Sequence, residues 1–65
     1  MTAAFIRVTN RDGDVSHLNV ANIERVTHTE FEGKLWTQVW MSSGTVVDCQ
    51  QTVEDVMSII RECLR

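Results

Sequence analysis

The chain has 65 residues, 43% of them hydrophobic, and a formal net charge of −3. That length gives one domain spanning residues 1–65, near the lower limit for unaided folding, because so short a chain hides only about 60% of the surface its unfolded form exposes. The composition excludes a disordered, highly charged chain, and the acidic balance argues against nucleic acid or an anionic membrane as the partner.

AAFIRVT, residues 3–9, mixes β-branched and aromatic residues in alternation and reads as a strand. Asp12-Gly13 is a turn signal, since glycine tolerates the positive φ that a tight hairpin needs. Residues 15–20, VSHLNV, form the return strand. Ala21 and Asn22 are poor strand residues, so a short turn follows, with Ile23 anchoring it on the core. Extended structure resumes over residues 25–31, turns at Gly33, and continues over residues 34–41. A further turn at Gly44 leads to a short strand over residues 45–50. Strands joined by such tight turns pair antiparallel, which predicts a meander of about five strands.

Residues 52–64 change period. Val53, Val56, Met57, Ile60 and Leu64 fall on one stripe, widened by Ile59 and Cys63, as in an amphipathic helix. Thr52 is placed to cap it, and Glu54 and Asp55 set negative charge against the positive end of its dipole. Arg61 and Arg65 lie at the opposite end. The fold class is therefore α+β: an antiparallel meander, open or curled into a partial barrel of the SH3 or Sm kind, with one C-terminal helix.

The stretch LWTQVWM, Leu35 to Met41, carries large apolar groups on both strand faces. Alternation sends Leu35, Thr37, Val39 and Met41 one way and Trp36, Gln38 and Trp40 the other. One helix shelters one face, so the expected core is Ile6, Val8, Leu18, Val20, Val26, Val39, Met41 and Val47, with Phe31 nearby. Two tryptophans left outside amount to ~300–500 Å², as large as the biggest apolar patch on most soluble monomers. Barrel closure, a symmetric homo-oligomer or a different protein partner would each cover them, or one indole enters the core while the other stays half-exposed at a strand end. Self-association through Trp36, Gln38 and Trp40 is the favoured expectation.

Chemistry is sparse. His17, His28, Cys49 and Cys63 have no zinc-ligand spacing. Asp12-Gly13-Asp14 resembles the start of a calcium loop, but Ile23 stands where its bidentate acid belongs. Cys49 has no oriented histidine as a base, and no glycine-rich phosphate loop occurs. Neither an enzyme nor a cofactor is expected. No segment approaches the ~20 apolar residues that span a bilayer, and the first residues carry no signal-peptide core. The chain reads as cytoplasmic, with Cys49 and Cys63 reduced.

The order of landmarks carries a resemblance. Phe5-Ile6-Arg7-Val8, Asp12-Gly13, Leu18-Asn19, Ile23 and Val26 come first. Ser43-Gly44-Thr45 and Thr52-Val53-Glu54-Asp55-Val56 follow. This arrangement resembles the small flagellar FlbD-like (SwrD-like) family and other short proteins of bacterial and phage origin. The resemblance implies a non-enzymatic accessory protein, such as a regulator binding a motor component, and supplies no catalytic or binding residues. An Sm-like module that stacks RNA or single-stranded DNA on aromatics is a third expectation.

Overall fold

The computed structural model describes residues 4–65. In it, β1 (Phe5–Thr9) and β2 (Val15–Asn19) pair antiparallel, with Ile6 opposite Leu18 and Val8 opposite Ser16. The start expected for β1 at Ala3 lies outside the described residues. The turn between the strands closes as Asn10 donates its N–H to Asp14 at 2.7 Å and Gly13 donates to Asn10 at 3.0 Å. Gly13 has φ +93°, a conformation that side chains rarely adopt.

After β2, the Asn19 side chain accepts from the Ala21 N–H at 3.0 Å and starts one 3-10 turn, Val20–Asn22. The next strand, β3 (Ile23–Phe31), begins two residues earlier than the sequence suggested. It pairs along its length with β4 (Lys34–Met41), but the register slips between Ile23, opposite Met41, and Arg25, opposite Trp40. In a regular strand Ile23 and Arg25 would share a face. The extra residue, Glu24, makes a bulge that sends Ile23 inward and Arg25 outward.

Glu32 and Gly33 join β3 to β4 as a two-residue loop, with φ +53° and +75° and Phe31 opposite Lys34. Positive φ at both central positions is the primed geometry that matches strand twist. A turn through Gly44 then leads to β5 (Val46–Cys49), antiparallel to β4.

The five strands form two sheets, β1-β2 and β3-β4-β5, and do not close into a barrel. One corner joins them. Asn10 bridges to Cys49, and the Gln50 N–H donates to the Thr9 carbonyl at 2.8 Å. Gln51 reinforces this corner: its side-chain oxygen accepts from the Thr9 N–H at 2.9 Å, and its amide donates to the Thr9 hydroxyl at 3.1 Å. The open side is spanned by α1 (Val53–Cys63), which touches both β1 and β3. Thr52 caps α1, its hydroxyl accepting from the Asp55 N–H at 3.0 Å.

The core is Ile6, Val8, Leu18, Val39, Cys49 and Val56. Val20, Ile23, Val26, Met41, Val47, Ile59, Ile60 and Cys63 pack around it. Phe31 corrects one expectation. It is 48% exposed and lies on the outer face, because odd-numbered residues of β3 beyond the bulge point away from α1. Met57 and Leu64, expected on the buried stripe of the helix, are exposed instead, because α1 turns Val56, Ile59, Ile60 and Cys63 toward the core. Thr37 is buried among apolar neighbours, which is tolerable because its hydroxyl donates to the Gln51 carbonyl. Cys49 and Cys63 are both free thiols.

Candidate interaction surface

On β4 the side that meets α1 holds Thr37 and Val39, both buried, so alternation turns Trp36, Gln38 and Trp40 to the opposite, outer face. There the register sets Trp40 beside Arg25 and Val46, Gln38 between Thr27 and Asp48, and Trp36 beside Thr29. Both indoles are half-buried. They stand about 13 Å apart along one strand.

The cover over these rings is cationic. The Arg25 guanidinium lies 4.2 Å from the centre of the Trp40 ring, and the Trp40 Nε1–H donates to the Thr27 hydroxyl at 3.0 Å. Lys34 Nζ is 4.7 Å from the Trp36 ring. Arg11 reaches in from the first hairpin turn, 4.6 Å from the Phe31 ring and 5.3 Å from Trp36, while its guanidinium contacts Asp48 at 3.3 Å. Each exposed cation–π contact contributes ~0.5–1 kcal/mol. Complete burial of one indole, at ~150–250 Å² and ~25 cal/mol per Å², is worth several times that. The roof therefore relieves part of the exposure and leaves a strong incentive for further burial.

The basic residues are spread along the sequence from Arg7 to Arg65, yet the fold concentrates three of them on one face. Arg11, Arg25 and Lys34 gather over the tryptophans. Among the described strand residues paired in register, Asp48 is the acid on this face. In a chain of net charge −3, the rest of the molecule is correspondingly more acidic. Lys34 was legible, since it shares strand parity with Trp36. Arg25 depends on the Glu24 bulge, and Arg11 arrives from a distant turn, so neither had a local signal.

Elsewhere there are open clefts. One of about 320 Å³ lies between β3 and α1, lined by Val20, Ile23, Val26, Met57, Ile60 and Leu64. A second, about 250 Å³, runs under the far end of the β3–β4 hairpin, between His28 and Leu35 on one side and Thr52, Val53 and Glu54 on the other. His17 on β2 and His28 on β3 are exposed, and Cys49 is buried beneath α1. Burial pushes the Cys49 thiol above its ordinary value of 9.0, Asp48 adds to the rise, and a hydrogen bond from the Gln51 backbone opposes it. Such a thiol is a poor nucleophile at neutral pH. Among the described residues no group of three or more His, Cys, Asp or Glu converges, and no helix is long and apolar enough to cross a membrane.

No family model, curated protein or solved structure matches this chain.

Proposed function

We propose that the protein is a non-enzymatic interaction protein that self-associates through the outer face of β3, β4 and β5, centred on Trp36, Gln38 and Trp40. One observation supports this reading: α1 packs on the inner face, while both indoles stand half-buried on the outer one with long cationic side chains laid over their rings. Burying what remains of that surface is favourable, and a second copy is the commonest way to do so.

Sedimentation of the wild type against Trp36→Ala with Trp40→Ala tests it. The wild type assembles at micromolar concentration. The double variant sediments as a monomer and keeps its far-ultraviolet circular dichroism, because neither ring belongs to the core. A monomeric wild type whose indoles are shielded from an aqueous quencher overturns the reading.

A second reading, a platform for single-stranded nucleic acid, is favoured by the gathering of Arg11, Arg25 and Lys34 beside aromatic rings. Filter binding across salt separates it, since phosphate-driven affinity falls steeply as salt rises. A flagellum-associated role has the landmark residues as its support, and affinity capture of a motor component tests it.

A further inference from the structure

The β3–β4 hairpin has two unlike sides at its far end. One bears Phe31, Lys34 and Trp36, with Arg11 laid across them. The other bears Glu30 directly opposite Leu35. Leu35 shares its side of β4 with the buried Thr37 and Val39 but is 65% exposed. The helix begins only at Val53, so it stops short of Leu35 and leaves the cleft bordered by Leu35, His28, Val53 and Glu54. Apolar surface and negative charge therefore lie together on the side that Leu35 faces, with Trp36 reaching the edge of the same cleft.

Resting on the self-association proposed above, we infer that copies of this chain dock head to tail. The aromatic and cationic face of one copy receives the Glu30, Leu35 and Glu54 side of the next. A two-fold contact between identical outer faces would set the patch bearing Arg11, Arg25 and Lys34 against a second copy of the same cationic patch, and like-charge juxtaposition across an interface is costly. The head-to-tail contact sets those cations against Glu30 and Glu54, and sets Leu35 against the indoles. Because the two contacting patches differ, each added copy presents a fresh patch of each kind. Such an interface closes into a ring or continues as a filament; it does not stop at a dimer.

Complementation between two blocked variants tests this. Arg25→Glu with Lys34→Glu disables the aromatic side, and Glu30→Gln with Leu35→Ser disables the acidic side without creating a charge complementary to the first variant. All four positions lie outside the core, and circular dichroism checks each fold. In sedimentation, wild type exceeds a dimer in dilute salt, and its mass falls as salt rises from ~0.01 to ~1 M and screens the charges. Each variant alone is monomeric, its affinity reduced at least tenfold, and an equimolar mixture yields a one-to-one dimer. A discrete, salt-insensitive wild-type dimer with no complementation overturns the head-to-tail arrangement while self-association stands. A wild type that is monomeric at every salt concentration overturns both.

Discussion

Arg25 and Trp40 sit directly opposite each other on neighbouring strands, the guanidinium 4.2 Å from the ring centre. The pair exists because Glu24 is bulged out of register. Arg25→Ala removes the stack, costs ~0.5–1 kcal/mol, and lowers Tm by a few degrees in a domain of this size. Tryptophan emission shifts to the red as the ring meets water. Unchanged emission would mean that the stack does not persist in solution.

Glu32 is the one non-glycine with positive φ among the described residues. A left-handed conformation costs an ordinary side chain roughly 1–2 kcal/mol, and Asn and Gly are the residues this turn prefers. Glu32→Asn raises the urea midpoint by an amount worth about 0.5–1 kcal/mol without altering the slope. Gly33→Ala, at φ +75°, lowers it.

The corner between the sheets depends on Gln51. Gln51→Ala leaves the Thr9 N–H without its partner and removes a second bond to the Thr9 hydroxyl. An unpaired, partly buried donor costs about 1–3 kcal/mol. Urea denaturation shows that loss, and hydrogen exchange shows faster opening at Thr9 and Gln50. Thr37→Val acts on the same corner by stranding the Gln51 carbonyl.

Cys49 fixes a pH dependence. Its thiol is raised above 9.0 in the folded chain, chiefly by burial. Below that value the thiol is protonated whether folded or unfolded, and its contribution to stability is fully present. Above it the unfolded chain releases the proton first, so stability falls as pH rises through the folded value. Cys49→Ala is less stable at neutral pH, through the cavity it leaves, and its alkaline decline is shallower. Under native conditions a thiol reagent modifies Cys63 before Cys49.

Much of this fold was legible locally. The Asp12-Gly13, Gly33 and Gly44 turns, the cap at Thr52 and the alternation from Leu35 to Met41 each follow from short-range geometry. The same alternation put Trp36, Gln38 and Trp40 on the face away from the helix. What escaped was non-local or depended on one inserted residue. Side-chain period gives no warning of the Glu24 bulge, and through it both the inward Ile23 and the stack on Trp40 were hidden. Thr37 is buried only because the Gln51 carbonyl lies within reach. Phe31 was expected near the core, as its residue type suggests, whereas its register places it on the outer face.

Arg11 belongs to the first hairpin yet rests on rings carried by the other sheet, and it holds Asp48 of β5 at the same time. Anything that settles on those rings must either clamp Arg11 in place or push it aside. Occupancy of the outer surface is thereby linked to how rigidly the two halves of the molecule are fastened, and each reports on the other.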